Sequence, residues 1–334
     1  MQELFALTRT LIDIESITPN ETAVGDFLFQ HLSPLAQRYQ GTLERMPVEP
    51  GRDNIYLWFD QPVVTMSTHM DTVPPFIPSR EDDSTIWGRG ACDVKGLMSA
   101  MIVACERLLK AGERRVALLF VVGEERNSAG AYAAAKTPRG SKFLINGEPT
   151  ENKLAVGSKG ALRFEFHAHG RMAHSAYPEL GESAIDKLLD ALAQVRQIPL
   201  ESDALMGPST LNIGTISGGR APNVIPDIAK AELFIRLVDD GESTRQRIAQ
   251  TITGVEVKEI LCIGAVHLGT LPGFETMVAA YTTDIPAFGG AWGKPYLIGP
   301  GTIHVAHTAH EHIPKDQLAA AVGIYENLCR QLLA

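Results

Sequence analysis

Three short, mostly apolar runs along the chain end in acidic or imidazole side chains. Apolar runs of this length are typical of buried strands in a parallel sheet. Open parallel sheets hold their ligand sites just beyond the carboxyl ends of the strands, so we expect the residues after these runs to converge. The runs and the side chains that follow them are Val63–Thr68 with His69 and Asp71, Val116–Val122 with Glu124 and Glu125, and Phe143–Asn146 with Glu148.

The order of predicted elements changes after residue 157. Residues 1–157 alternate helical and strand-like patterns and include a long apolar helix at Leu97–Leu109. Residues 158–266 predict strand, helix, strand, strand, helix, strand, which is the order of a ferredoxin-like domain. These six elements are Ala161–His169, Ser183–Ile198, Thr210–Ser217, Lys230–Val238, Glu242–Thr253 and Val255–Ile263.

The last stretch of the chain predicts a helix near Phe274–Thr283, a strand at Tyr296–Ile298 and a closing helix at Lys315–Leu333. A chain of 334 residues exceeds the usual size of a single core, so two domains are expected. The hydrophobic content of 45% and the charged content of 21% are those of an ordinary globular protein.

Asp93 is a further acid, in a glycine-flanked turn before the long apolar helix. Several carboxylates crowded together would repel each other and lose hydration, unless cations pair with them. Imidazole with carboxylate and without thiolate is the ligand set expected of zinc in a catalytic site, and manganese, cobalt or iron would accept it too. The sequence therefore predicts a site for divalent metal ions.

Five motifs in order carry a family resemblance: STHMD, GACDVKG, GEE, NGEPT and AHTAHEH. With them the chain resembles the co-catalytic dizinc metallopeptidases and deacylases, which include acetylornithine deacetylase, succinyl-diaminopimelate desuccinylase, aminoacylase and glutamate carboxypeptidase. The resemblance covers nearly the whole chain. It implies an α/β/α catalytic domain with a mostly parallel sheet, formed by residues 1–157 and 267–334. A smaller ferredoxin-like α+β lid and dimerisation domain, residues 158–266, would interrupt it.

The resemblance also implies a role for each site residue. Asp93 would bridge two metal ions, of which zinc is expected and cobalt or manganese is possible. Asp71 would hydrogen-bond the free ring nitrogen of a ligand histidine and fix its tautomer. Glu124 would be the general base that takes a proton from a metal-bridging water and returns it to the leaving amine. The other ligands would be His69 and Glu148 at one ion and Glu125 and His307 at the other.

Residues of the predicted lid resemble the family's substrate contacts. His174, in the stretch HGRMAHSAYP, would be donated across a dimer interface to stabilise the oxyanion or contact the carbonyl, which implies a homodimer. Asn223 and Arg236 resemble a substrate-binding pair, and an arginine fork suits a substrate carboxylate. Gly301, in the segment GPG, is a further predicted substrate contact.

Several of these residues also have simpler interpretations. Asp93 could cap the following helix, and the acid pair after Val122 could be a solvated strand end. His174 could be a surface loop histidine, and Arg236 could be the partner of a structural ion pair. His310 is the alternative to His307 as the carboxyl-terminal ligand, because four histidines crowd residues 304–312.

The predicted function is metal-dependent hydrolysis of the amide bond in a small N-acyl amino acid, in the manner of acetylornithine deacetylase. An exopeptidase or dipeptidase of the same family would use the same metals and base. A relative that binds an amino-acid derivative without catalysis is the third hypothesis. Only 24 positions separate His69 from Asp93, and this short loop makes substrate identity the hardest feature to infer.

Net charge argues against some partners. With 30 basic and 39 acidic residues the chain carries −9, which disfavours nucleic acid and anionic membranes. The beginning of the chain lacks a basic leader and a signal-type apolar core, so we expect a cytoplasmic protein. Four widely spaced cysteines without C-x-x-C pairing are expected to be reduced thiols.

Overall fold

The computed structural model describes residues 1–334. The helices are α1 (Gln2–Ile12), α2 (Thr22–Arg38), α3 (Gly96–Lys110), α4 (Ala129–Ala135), α5 (Ala184–Val195), α6 (Glu242–Thr251), α7 (Ile285–Phe288) and α8 (Lys315–Leu333). The strands are β1 (Thr42–Glu49), β2 (Arg52–Trp58), β3 (Val64–His69), β4 (Arg80–Glu81), β5 (Thr85–Trp87), β6 (Val116–Val121), β7 (Phe143–Asn146), β8 (Leu154–Ser158), β9 (Gly160–His169), β10 (Ala173–His174), β11 (Ser202–Asp203), β12 (Gly207–Pro208), β13 (Thr210–Gly218), β14 (Val224–Ile225), β15 (Ile228–Leu237), β16 (Glu256–Ile263), β17 (Val266–His267), β18 (Thr276–Ala279), β19 (Lys294–Leu297) and β20 (His312–Pro314).

The chain folds into two compact units. The first unit contains residues 1–156, 268–277 and 283–334, and the second contains residues 157–267 and 278–282. The first unit is therefore discontinuous in sequence. Residues 278–282 belong to the second unit, although the sequence analysis placed its end at residue 266.

The first unit is built on a six-stranded sheet in the order β1-β2-β6-β3-β7-β19. The strands β6, β3, β7 and β19 run parallel, and β1 and β2 add an antiparallel edge. Alternate residues of β6 enter two different cores: Leu118 and Phe120 lie in the larger core with α3 and α8, while Leu119 and Val121 pack with α4 and Trp292. Burial on both faces explains why this strand is a continuous apolar run.

The predicted strands of this sheet are confirmed to within two residues at their ends, and they place the site. In β3 and β6, His69 lies beside Val121, and in β3 and β7, Ser67 lies beside Asn146. The three strands therefore end at the same edge of the sheet. The residues that follow them begin close together, as the parallel arrangement predicted.

The second unit contains a four-stranded antiparallel sheet in the order β13-β15-β9-β16. With α5 and α6 this is the ferredoxin-like α+β arrangement that the sequence predicted. Phe164 and Phe166 of β9 pack against Leu188 of α5 and Ile248 of α6. Because helices cover one face only, the residues of β9 alternate between buried and half-buried.

The predicted helix near Phe274–Thr283 is wrong. Residues Thr276–Ala279 form strand β18, which joins a three-stranded sheet with β8 and β17. A glycine at position 273 and Pro286 flank a segment too short for a stable helix. The main chain of β8 offers hydrogen-bonding partners, since Leu154 N–H donates to Glu275 O and Lys159 N–H donates to Ala279 O.

No helix combines the length and the apolar character that crossing a membrane requires. The four cysteines are free thiols, and Cys92, Cys105 and Cys329 are buried.

Candidate metal centre

The turn before α3 places Asp93 inside the first unit. Gly90 has φ 85°, a conformation that favours glycine, and a Cβ there would lie 3.0 Å from both Lys95 and Thr72. Asp93 itself is not helical, with φ −123° and ψ 80°, and α3 begins at Gly96. This irregular backbone directs a carboxylate that is only 5% exposed toward the carboxyl ends of the sheet strands.

Asp93 is shared by two groups of potential metal ligands. His69, Asp93 and Glu148 form one group, and Asp93, Glu125 and His307 form the other. Within each group all of the ligand atoms lie within 4.8 Å of one another. The structure thus brings together the five residues that the sequence analysis assigned as metal ligands, in the same two sets.

Each oxygen of Asp93 faces a different imidazole. His69 Nε2 lies 3.2 Å from Oδ1, and His307 Nε2 lies 3.1 Å from Oδ2. Burial opposes ionisation of this carboxyl, but the hydrogen bonds from His307 and His69 hold the pKa of Asp93 below its ordinary value. His307 Nε2 is also 3.0 Å from Glu125 Oε2, and these contacts with Asp93 and Glu125 raise the pKa of His307 to about 10. One ionised carboxylate between two imidazoles is the geometry required of a bridging ligand.

The surroundings of Glu148 show whether cations fit the two ligand groups. It is 4% exposed, and its Oε1 has no hydrogen-bond partner. Burial raises the pKa of Glu148 well above its ordinary value, with nearby His69 opposing the shift and Asp93 adding to it. An unpartnered carboxylate oxygen beside two imidazole–carboxylate sets suits a divalent cation, so the donor set fits a two-metal centre.

Asp71 connects His69 to the turn that follows β6. The Nδ1 of His69 lies 3.0 Å from the main-chain oxygen of Asp71 and 3.5 Å from its carboxylate, which leaves Nε2 free to face Asp93. The Asp71 carboxylate accepts hydrogen bonds from the main-chain N–H groups of Glu124 and Glu125, both at 3.1 Å. Burial alone would raise the pKa of Asp71, but its hydrogen bonds hold that pKa below the ordinary value. Asp71 therefore orients the acid pair as well as the histidine.

The glycine before the acid pair lets both side chains reach the centre. Gly123 has φ 81°, and a Cβ there would lie 2.9 Å from Arg52 Nη2. The chain turns at this point, so Glu124 and Glu125 do not take the opposite faces of a strand. Burial raises the pKa of Glu124 well above its ordinary value; His69 opposes this shift, and Glu148, Asp284 and Glu125 strengthen it.

His307 reaches the centre from a loop with a left-handed backbone, φ 63°. The alternative ligand His310 is exposed and is absent from both ligand groups. Gly301, on the same connection, is buried with φ 83°, and a Cβ there would lie 2.7 Å from the Cβ of Cys92. Its N–H donates to Gln317 at 3.0 Å. The close approach of Gly301 to Cys92 packs the GPG segment against the residue preceding Asp93.

Two residues near the centre were missed in the sequence. Asp284 is 1% exposed, and burial raises its pKa to about 7, with the nearby Ser128 side chain opposing the shift. Thr18 donates its hydroxyl hydrogen to Asp71 Oδ2 at 2.6 Å. The only sequence signal for Asp284 is an acid within small and apolar residues, TTDIPAF, and Thr18 offers none.

The second unit holds the other predicted contacts. The pairing of β10 with β14 sets His174 opposite Val224, and Ser175 N–H donates to Asn223 O at 3.0 Å. His174 and Asn223 are thus neighbours, although about 50 positions separate them, and both are exposed. Arg236 lies on the open face of the sheet in a cavity of about 430 Å³ lined also by Arg163, Asn212 and Phe234.

The Arg236 guanidinium lies 4.7 Å from the centre of the Phe234 ring and donates to the Thr282 hydroxyl at 3.3 Å. Burial lowers its pKa. Arg163 in the same cavity is paired with Glu232, 2.5 Å away. Within the second unit, Arg236 is therefore the guanidinium of this cavity that has no carboxylate partner.

Comparison with known proteins identifies the family of this chain. Residues 65–331 match the model of peptidase family M20/M25/M40. A peptidase M20 domain-containing protein of Schizosaccharomyces pombe is 40% identical over 97% of this chain and 84% of its own length. A probable carboxypeptidase of Aspergillus fumigatus is 37% identical over 99% of this chain and 87% of its own length. The solved structure of aminopeptidase PepT from Bacillus cereus superposes with a TM-score of 0.83 at 18% identity, covering 100% of this chain and 99% of that one.

Proposed function

The chain belongs to peptidase family M20/M25/M40, and on that premise we propose that it hydrolyses the amide bond of a small N-acyl amino acid with the help of two divalent metal ions. Zinc is the proposed metal, and cobalt or manganese would suit the same ligands. The observation that carries this proposal is Asp93, whose two oxygens each face the imidazole of a different ligand group.

The two ligand groups would hold one ion each. His69, Glu148 and one oxygen of Asp93 form the more buried set; Glu125, His307 and the other oxygen form the more accessible one. Bound ions would polarise the scissile carbonyl and acidify water. The protein's own contribution is to keep the ligands in register, which it does through Asp71 and the turn at Gly123.

Glu124 is the proposed general base. It would take a proton from the attacking water and deliver it to the nitrogen of the leaving amine. Its raised pKa has burial as the main cause and the surrounding acids as a further one. Cations held by Glu125 and Glu148 would offset the repulsion from those acids and favour the ionised base.

In the second unit we propose that Arg236 binds the carboxylate of the substrate, because its fork of donors is not committed to an acid. Asn223 and His174 are the proposed contacts to the substrate and its carbonyl. Gly301 stays a predicted substrate contact, with its N–H engaged by Gln317. The homodimer and the cytoplasmic location also stay predictions.

An exopeptidase is the second candidate function. The fungal relative named a probable carboxypeptidase favours it. An N-acyl amino acid and the substrate of a carboxypeptidase or dipeptidase share a free carboxylate next to the cleaved amide, and they differ in what lies on the acyl side. The choice therefore depends on recognition of the acyl group, whereas the metal ligands and the base serve both.

The test is amine release from N-acetyl, N-succinyl and N-formyl amino acids and from dipeptides. Metal-free protein would be titrated with zinc, cobalt or manganese before each assay. Metal-dependent cleavage of one acyl series supports a deacylase, and cleavage of dipeptides alone supports the exopeptidase. Metal binding without any turnover of these substrates would favour a binding role or an acyl group outside this panel.

A Glu124→Gln variant tests the base. We expect turnover to fall by about 10²- to 10⁴-fold while the protein still binds two metal ions. The matched control is Glu179→Gln, since Glu179 is an exposed acid in the second unit. Turnover close to that of the unsubstituted protein would refute the role of Glu124.

A further inference from the structure

Glu311 is a buried acid that the proposed chemistry does not use. It lies four residues after His307 and directly before β20, and it is 1% exposed. Its Oε1 accepts hydrogen bonds from the main-chain N–H groups of Gly90 at 2.8 Å and of Asp93 at 3.2 Å. One carboxylate thus holds both ends of the turn that carries the shared ligand Asp93.

The other oxygen of Glu311 engages a buried arginine. Arg89 Nη1 donates to Oε2 at 2.5 Å, and Arg89 is 2% exposed. The same arginine hydrogen-bonds the segment that follows His69 and Asp71. The side-chain Nε of Arg89 donates to Pro75 O at 3.3 Å, and the main-chain N–H of Arg89 donates to Ile77 O at 2.9 Å. Three ligand-bearing segments of the first unit, around residues 69–77, 88–93 and 307–311, therefore meet at this ion pair.

Main-chain hydrogen bonds position only part of the turn that carries Asp93. Pairing of β20 with β5 sets His312 beside Trp87, and Gly88 N–H donates to Glu311 O at 3.1 Å. Beyond Gly88 the turn leaves the strand, and Asp93 has a non-helical backbone. The Glu311 side chain supplies the acceptor for the N–H groups that the strand pairing does not reach.

Both ligands that depend on this connection have an unusual backbone. His307 is a left-handed residue that is not glycine, and Asp93 is neither helix nor strand. The left-handed conformation of His307 persists only when the surrounding structure over-determines it. A buried ion pair is a poor source of stability by itself, since an apolar pair of the same volume often does as well, but an apolar side chain could not accept from Gly90 and Asp93.

We propose that Glu311, held by Arg89, is a positioning residue that fixes Asp93 between the two metal ions and keeps the His307 segment in register with it. This inference rests on the proposed two-metal function. The carboxylate acts through the main chain of Asp93, so it shapes the affinity of both ligand groups without touching substrate or metal.

The experiment measures metal affinity, which a purely structural role would leave unchanged in folded protein. Metal-free Glu311→Ala would be titrated with zinc in competition with a chromophoric chelator, at a temperature well below its unfolding midpoint. We expect the affinity of both sites to fall by about 10- to 100-fold, the usual loss when a partner behind the ligands is removed. Glu311→Asp keeps the charge for Arg89 but shortens the reach to Asp93, and it should also bind zinc more weakly.

Leu28→Ala is the control, because Leu28 is fully buried in α2 and supplies no ligand. It should lower the unfolding midpoint and leave zinc affinity unchanged. Glu311→Ala with unchanged affinity would overturn the proposal; if that variant does not fold, unchanged affinity in Glu311→Asp would overturn it. Failure of the unsubstituted protein to bind two zinc ions would refute the proposed function, which is a different result.

Discussion

The charged side chains near the sheets of the two units differ in their burial. In the first unit β3 and β6 are buried along their whole length, and the nearby acid Glu148 is enclosed with one carboxylate oxygen that has no hydrogen-bond partner. In the second unit β9 and β15 alternate between buried residues and half-buried or exposed ones, and on the open face Arg163 pairs with Glu232 while Arg236 has no carboxylate partner. The enclosed carboxylates of the first unit are available to bind metal ions, and the open sheet face of the second unit is accessible to substrate.

The pKa values of these acids also differ between the two units. Burial raises the pKa of Glu124, Glu148 and Asp284 in the first unit. In the second unit, hydrogen bonds from Arg220 lower the pKa of Asp227. The first set of acids is destabilising until something neutralises it, whereas the second is already neutralised by the protein.

The largest expected effect comes from removing the shared acid of the first unit. Asp93→Ala should abolish binding of the metal pair and reduce turnover by at least about 10³-fold, because metal ions supply several kcal/mol of transition-state stabilisation. Metal content and kcat measure this. The matched change in the second unit, Glu259→Ala, removes an acid that accepts from Arg245 at 2.6 Å and should leave both unchanged. Equal effects of the two changes would break the comparison.

The next effect concerns stability against pH in metal-free protein. The pKa of Asp284 is about 7 in the fold and 3.8 ordinarily, so between these values the folded state holds a proton that the unfolded chain has released. The contribution of Asp284 to the unfolding free energy therefore falls as pH rises from about 4 to about 7, by an amount on the order of a few kcal/mol. Asp284→Asn should remove this loss and stabilise the metal-free protein at pH 8.

Asp227→Asn gives the opposite sign in the second unit. Its folded pKa lies below the ordinary value, so its carboxylate stabilises at neutral pH and this contribution is lost as pH falls. Urea unfolding of both variants from pH 4 to pH 8 checks the two signs. If Asp284→Asn destabilises the protein at pH 8, a partner stabilises the Asp284 carboxylate, and the claim that the enclosed acids destabilise the metal-free first unit is wrong.

The smallest of these effects is expected on the open face. Arg236→Lys should raise KM, with a loss in kcat/KM of about 10- to 100-fold, because hydrogen bonds to charged groups contribute about 1.5–3 kcal/mol. Arg163→Lys is the matched control in the same cavity, since Arg163 already pairs with Glu232. Steady-state kinetics on one cleaved substrate separates the two, and equal losses would remove the special role of Arg236.

The sequence predicted most of the fold because its strongest patterns are long. The apolar run Val116–Val122 is typical of a buried strand in a parallel sheet, and strand β6 occupies Val116–Val121. The closing helix Lys315–Leu333 has the predicted bounds. The segment Phe274–Thr283 has only a short apolar stretch, and there the open edge of β8 decided in favour of a strand.

The candidate site divides in the same way. His69, Glu124, Glu125 and Glu148 follow apolar strands, so their convergence was predictable from the rule for parallel sheets. Asp284 and Thr18 come from segments without such a pattern and reach the centre through tertiary packing. The hydrogen bonds of Asp71 to the Glu124 and Glu125 main chain join residues that are more than 50 positions apart, and no local pattern contains them.

By itself the sequence determined the family, the two-domain organisation with its parallel and ferredoxin-like sheets, and the residue types able to hold metal, because periodicity and motif order are properties of the chain. Only the tertiary structure decided which histidine of the crowded stretch at residues 304–312 faces Asp93, that Asp284 is enclosed beside the acid pair, and that Glu311 and Arg89 join three ligand segments. The physical reason is that burial and hydrogen-bond partners are set by which distant segments meet, and the free energy of a charged group depends on those neighbours far more than on its place in the sequence.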